Sequence, residues 1–313
     1  MRESVAVLLA AYNGEKYIKP QILSILSSRL ETPLSITIGL DPSTDDTREV
    51  VDSIGSESIF TFCYETPSGG AKYNFARLVE HALLLPDRYY AFSDQDDVWD
   101  SDRLAVGIKL LKEHESRLGD GVPLLVFSDS RVVDEELGIV SASFMEAEKL
   151  DPAAAEFFNR LIVQNVGQGC TFLFNRALLE LAAPVPGSAR MHDHWLMLVA
   201  SAFGKILYVD RPLLSYRQHS NNVVGAAGYG FFRALARACK GSQEIRDSLS
   251  FSRKQAEAFV LRYGSMLDRD RYEFLIRFVG LPQLGFWARR LFIYKYGVRM
   301  SGVLRRIGLY LYI

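Results

Sequence analysis

The stretch Arg88-Tyr89-Tyr90-Ala91-Phe92-Ser93-Asp94-Gln95-Asp96-Asp97-Val98-Trp99 decides the fold. Its first half, RYYAFS, is apolar and aromatic and predicts a buried strand. Its second half places three carboxylates within four residues, directly where that strand must end. Carboxylates crowded this closely raise one another's pKa unless a cation neutralises them. Hard oxygen donors at alternate positions suit Mg²⁺ or Mn²⁺, which take one or two protein carboxylates and leave positions for water and substrate phosphates. The competing reading is a solvated acidic loop that caps the following helix.

Strands and helices alternate on either side of this turn. SVAVLLA (4–10) predicts a buried strand, and Ile18, Ile22, Ile25 and Leu26 keep helical spacing with Pro20 tolerated near the first turn. SITIGL (35–40) is a strand closed by DPSTDDT, and IFTFCY is the third. SGGAKYNFARLVEHALLL reads as a glycine loop entering a helix. A helix over Asp102–His114 and a strand in VPLLVFSDS follow the acidic turn. This alternation predicts βαβ units and a mostly parallel α/β sheet flanked by helices. Beyond residue 150, GCTFLFN (169–175) and KILYV predict strands, and HDHWLMLVASAF predicts a helix. From about residue 226 the chain reads as helices only, so a boundary near Asn221–Gly228 divides an α/β domain (1–225) from a helical C-terminal region (226–313).

Composition narrows the function classes. Of 313 residues, 49% are hydrophobic and 23% charged, as expected for a globular protein with a real core. A net charge of −1 gives no global field to recruit nucleic acid. Cys63, Cys170 and Cys239 are far apart and odd in number, which fits reduced cytosolic thiols; Cys170 reads as a small core residue. The opening MRESVAVLLAAYNGEKY reads as a strand rather than a signal peptide, and no apolar run reaches the ~18 residues of a membrane span. Charge is uneven, however. From Arg271 to Ile313 eight basic residues face one acid, Glu273, with aromatic and aliphatic residues between them. That mixture suits a basic amphipathic helix at a membrane interface; the alternative is a helix packed on the body with a solvated basic face.

In an open parallel sheet, ligands bind beyond the carboxyl ends of the strands. Ala11, Tyr12 and Asn13 follow the first strand, Asp41 the second, and Asp94, Asp96 and Asp97 the fourth. Asp41 suits a hydrogen bond from a base or ribose, or an Asx-turn. His192, Asp193 and His194 open a helix, and His219 follows LLSYR. Three histidines raise a zinc site, but two at i and i+2 on a helix diverge. Asp193 instead suits a general base or a cap.

Taken in order, AAYNGEKYI, DPSTDDT, SDQDDVW, GCTFLFN, MHDHW and YRQHSNN resemble the inverting family 2 glycosyltransferases, and more narrowly the rhamnosyltransferase-type members that build bacterial surface polysaccharides. The resemblance covers roughly residues 4–225. It implies a GT-A fold, a Mg²⁺ or Mn²⁺ ion and a nucleoside-diphosphate sugar donor, best read as dTDP-L-rhamnose. By motif position it places Ala11, Tyr12, Asn13, Asp41, Asn74, Asp94 and Asp97 at the donor. Asp94, Asp96 and His219 fall at the metal, and Asp193 at the catalytic base. The basic amphipathic tail fits a saccharide or lipid-linked acceptor presented at the cytoplasmic, inner face of the plasma membrane. One departure is Leu40-Asp41-Pro42, where such proteins commonly carry Asp-Asp-Gly. Two rivals accompany this reading. One is a catalytically inactive GT-A-like module that binds a nucleotide sugar. The other is a haloacid-dehalogenase-type phosphatase with Asp94 as nucleophile.

Overall fold

In the computed structural model, residues 2–219 and 231–313 are described. The expected boundary near Asn221–Gly228 lies outside them. The elements run β1 (Arg2–Ala11), α1 (Ile18–Leu26), β2 (Leu34–Leu40), α2 (Thr47–Asp52), β3 (Ile59–Cys63), α3 (Ala71–Ala82), β4 (Asp87–Ser93) and β5 (Val98–Trp99). Next come α4 (Arg103–Leu118), β6 (Leu124–Val133), β7 (Ile139–Ser141), α5 (Phe144–Ala147), α6 (Phe158–Leu161), β8 (Leu173–Asn175), α7 (Arg176–Ala182), α8 (His192–Phe203) and β9 (Lys205–Arg217). The remainder is helical: α9 (Phe231–Tyr263), α10 (Arg269–Val279), α11 (Phe286–Tyr296) and α12 (Val303–Tyr312).

One sheet runs in the order β3-β2-β1-β4-β8-β6-β9-β5, with β7 on β6. The long pairings, β1 with β2 and β4, β2 with β3, and β6 with β9, are parallel. The antiparallel ones, through β5, β7 and β8, are two or three residue pairs long. The central strands β1, β4 and β6 are buried on both faces, as their continuous apolar runs require. Val5, Val7 and Leu9 point into one core with Tyr89 and Ala91, covered by α1, α2 and α4. Ala6 and Leu8 point into the other with Tyr90 and Phe92, covered by α3, α8 and the C-terminal helices. Period-two side-chain alternation along β1 and β4 thus builds two cores from the same strands.

Three local expectations change. In GCTFLFN only Leu173–Asn175 pairs as a strand, because Gly169–Thr171 tightens into a 3₁₀ turn that brings Cys170 under the acidic turn. KILYV and LLSYR are one strand, β9, carried through Pro212 by a shift of register against Asp129. Proline, which has no ladder N–H to give, is accommodated at such an irregularity. The helix expected over Asp102–His114 runs on to Leu118.

The C-terminal helices share the core of the α/β body. Phe259 of α9 meets Phe158, Trp195 and Tyr263, and Phe274 of α10 stacks on Phe292 of α11. Phe259 is fully buried, so Phe259→Ala should cost about 3–5 kcal/mol through lost burial and a cavity. Denaturant unfolding followed by circular dichroism measures this. A loss below ~1 kcal/mol, the size of an ordinary surface change, would show that these helices are not part of the core.

Candidate active site

The connections from β1 to β2 and from β3 to β4 leave on opposite sides of β1, so a crevice opens above the carboxyl ends of β1, β2 and β4. A cavity of about 1490 Å³ occupies it, larger than one small-molecule ligand needs. Ala11, Tyr12, Asn13, Asp41, Asn74, Asp94, Asp96, Asp193 and His219 all line it. The structure therefore brings together nine of the ten residues that the resemblance places at donor, metal or base; Asp97 is the exception.

The loop after β1 is held by side chains from two other loops. Gln95 accepts from Tyr12 N and donates to Tyr12 O, both at 2.9 Å, tying the acidic turn to the first loop. Asn13 adopts a left-handed conformation, φ 46°, and its Oδ1 accepts from Thr44 N at 2.8 Å. That conformation is one Asn tolerates through its short polar side chain. Gly14 makes room for the Gln95 amide that ties the two loops: a Cβ there would lie 2.3 Å from Gln95 Oε1.

Asp41 is already engaged. Its Oδ1 accepts from Ser68 N at 2.7 Å, and its Oδ2 from Ser68 Oγ at 2.5 Å and Asn74 Nδ2 at 3.3 Å. Asn74 also donates to Gly39 O at 2.8 Å. The pair fastens the 65–70 loop to the end of β2.

The acidic turn divides by direction. Asp97, expected at the donor, is instead buried beneath the turn and does not line the cavity. Its Oδ1 accepts from Arg217 N at 3.2 Å, and it meets the Cys170 thiol. Burial, then Asp96 and Asp94, push its carboxyl well above the usual range. Burial also raises Cys170, so this thiol stays protonated and is a poor partner for a hard cation. Oxygen and sulfur atoms of Asp94, Asp97 and Cys170 lie within 4.8 Å of one another, but only Asp94 and Cys170 reach the cavity.

Asp94 and Asp96 face the cavity. Burial, then the charges of Asp96 and Asp193, raise Asp94 to about 7. Asp96 Oδ2 lies 2.8 Å from His219 Nε2, and the His219 ring stacks on Tyr17 with centroids 4.9 Å apart. Asp96 and His219 are in contact and Asp94 faces the same cavity. Carboxylate and imidazole donors suit Mn²⁺ or Mg²⁺, but among the described residues the three do not close into one cluster of donor atoms. Positive charge lies beneath the turn as well as along the cavity wall, where Lys16, Arg190 and Arg305 stand. Arg217 Nε donates to Asp96 O at 2.8 Å, and Arg103 is buried with its guanidinium 3.5 Å from the Trp99 ring centre.

Asp193 lies in the first turn of α8. Asn165 Nδ2 donates to its Oδ2 at 3.1 Å and His194 N to its Oδ1 at 2.6 Å. Burial outweighs these bonds and raises its carboxyl to about 6. The flanking histidines diverge. His192 stacks on Phe75 at 3.9 Å, and burial lowers its pKa to about 3. His194 Nε2 lies 2.6 Å from Leu161 O, so the two form no site with His219. Gln95, Arg103, Asn165 and Arg217 were not singled out by sequence reasoning. Gln95, set between two aspartates of one motif, carried the clearest signal.

Protons compete with a cation for Asp94, and that competition fades as pH rises through about 7. The gain in melting temperature on adding Mn²⁺ should therefore be larger at pH 8.0 than at pH 5.5, and Asp96→Asn should lose most of it. A gain independent of pH and of Asp96 would contradict this donor set.

Comparison with known proteins completes the site. A dTDP-rhamnosyl transferase, RfbG of Shigella flexneri, is 29% identical over 231 residues, covering 70% of this chain and 74% of that protein. A UDP-Glc:alpha-D-GlcNAc-diphosphoundecaprenol beta-1,3-glucosyltransferase, WfaP of Escherichia coli, is 29% identical over 110 residues, 35% of this chain and 42% of that one. The fold matches that of Staphylococcus aureus TarS, solved with UDP-GlcNAc, at a TM-score of 0.58 and 14% identity, covering 93% and 79% of the two chains. It also matches the Pyrobaculum calidifontis mannosyltransferase PcManGT, solved with GDP-Man and Mn²⁺, at 0.51 and 14%, covering 95% and 86%. The expected GT-A fold is thus the one present, and the phosphatase reading of Asp94 falls away. The family model described as "Glycosyl transferase family 2" matches residues 6–180, more than half of the chain, which therefore belongs to that family and is a glycosyltransferase.

Proposed function

We propose that this chain is an inverting transferase that moves L-rhamnose from dTDP-L-rhamnose onto a hydroxyl of a saccharide or lipid-linked acceptor in bacterial surface polysaccharide synthesis. It would work at the inner face of the plasma membrane. The observation that carries the mechanism is that Asp193 and the acidic turn share one cavity, close enough for the Asp193 charge to raise Asp94. The choice of sugar is supported by the relation to the Shigella dTDP-rhamnosyl transferase. The lipid-linked acceptor is supported by the diphosphoundecaprenol in the name of the Escherichia relative.

Asp94, Asp96 and His219 would hold a divalent cation, which would supply Lewis-acid stabilisation of the charge on the departing diphosphate. The chain's own residues do the rest. The Tyr12–Gln95 pair and the Asp41–Ser68–Asn74 cluster fix the two loops between which a nucleotide would lie. Asn165 and His194 N orient the Asp193 carboxylate. With its pKa near 6, Asp193 is ionised at neutral pH yet more basic than an ordinary aspartate, which suits it to take the acceptor hydroxyl's proton. One displacement from the opposite face inverts the anomeric centre, giving an α-L-rhamnoside from a β-linked donor, with no covalent intermediate on the protein.

Asp193→Asn should bind donor with unchanged affinity while transfer falls by ~10²–10⁴-fold. In the parent, kcat/KM should climb as pH rises through about 6, because the protonated carboxyl cannot accept a proton. Calorimetry with a panel of nucleotide sugars, followed by NMR of the product anomer, checks donor and stereochemistry together. Undiminished transfer by Asp193→Asn would remove it as the base. Tight donor binding with no transfer to any acceptor would favour the inactive binding module instead.

A further inference from the structure

The geometry points to a membrane-docking surface made by α11 and α12 at the rim of the catalytic cavity. The surface deepens the reading of a lipid-linked acceptor and rests on that reading only for its purpose, since its existence stands on the helices themselves.

Each helix has a covered side and an uncovered apolar side. In α11, Phe292 and Ile293 are buried in the core, while Trp287, Leu291 and Tyr294 are 81%, 65% and 81% exposed. Positions i, i+4 and i+7 share one face of a helix. In α12, Leu309 is buried, while Val303, Leu304, Ile307 and Leu311 are exposed along another single face. Arg290 Nη2 donates to Leu311 O at 2.6 Å, so the two helices are neighbours. Water-facing apolar patches of this kind mark interaction sites.

Charge selects the occupant. Between Phe286 and Ile313 there are six basic residues and no acid, in a chain of net charge −1. Lys295, Arg299 and Arg306 are exposed, and among the described residues none of them forms an ion pair with a carboxylate. Two such faces from two copies of the chain would repel. An anionic bilayer complements them: the rings and leucines enter the headgroup boundary while the cations meet phosphates. Among the described residues no helix is long and apolar enough to cross a membrane, so docking is interfacial.

Position gives the surface its purpose. Arg305 and Leu309 of α12, four positions apart on one side of the helix, line the same cavity as Asp193, while Val303, Ile307 and Leu311 face outward from the other side. A bilayer on that outer side would deliver a lipid-linked acceptor to the cavity mouth.

The test uses the full chain, without donor or acceptor, and vesicles of phosphatidylcholine alone or with 30% phosphatidylglycerol. Trp99 and Trp195 are buried, so Trp287 dominates any change in tryptophan emission on docking. Binding should be at least roughly tenfold tighter to the anionic vesicles, should blue-shift the emission, and should weaken in 1 M NaCl. Trp287→Phe should bind but lose the shift. Trp287→Ser/Ile307→Ser should lose binding by at least roughly tenfold, with an unchanged melting temperature excluding misfolding. No vesicle binding, or binding that those serines leave intact, overturns the proposal. Dimers abolished by the same serines, with no vesicle binding, would assign the face to a second copy. A chain that docks but, given donor and acceptor, transfers no sugar would refute the transferase reading and leave the surface standing.

Discussion

Carboxylates held together at the carboxyl edge of the sheet repel one another, and most of the polar architecture nearby manages that repulsion. Asp97 is withdrawn beneath the turn, where Arg217 N and the Cys170 thiol meet it and the buried Arg103 lies close. Asp94 and Asp96 are left facing the cavity, with Asp96 in contact with His219. A fold that spends buried hydrogen bonds to hold negative charge outward is arranged for a ligand that brings positive charge.

The position of the turn follows from the sheet. Alternation along β1 and β4 feeds two cores at once, which fixes these strands in register. Their ends then present Tyr12 and Asp94 side by side, joined through Gln95. Helix α8 brings Asp193 to the same cavity because it is apolar nearly all round and fully packed between the sheet and α9. The C-terminal helices close that side. They supply core at Phe259 and Phe274, cavity wall at Leu304, and an outward apolar face at Trp287 and Ile307.

Much of this was legible in the sequence, for identifiable reasons. Strand–helix alternation and the clustering of polar residues after strands gave the α/β class and the edge of the sheet where the cavity opens. Ala11, Asp41, Asp94, Asp96, Asp193 and His219 meet at one cavity as their motif order implied. Residues acting through tertiary hydrogen bonds were hidden, since Asn165 and Arg217 keep no spacing relative to the groups they hold. The inward turn of Asp97 was equally invisible, because neighbouring aspartates look alike until Cys170 is folded beneath them. The antiparallel insertion of β8 depends on a 3₁₀ turn that its composition does not announce. For α12, the sequence marked an amphipathic basic helix without revealing that its buried side is the narrower one.

The central claim is that the outward pair of the acidic turn, not the inward one, holds the cation. Anomalous diffraction from crystals grown with Mn²⁺ and a nucleoside diphosphate tests it most directly. The account predicts one strong peak within bonding distance of Asp96 and His219, on the cavity side of Asp94. A peak bridging Asp97 and Cys170 instead, or ordered nucleotide with no metal at the turn, would contradict it.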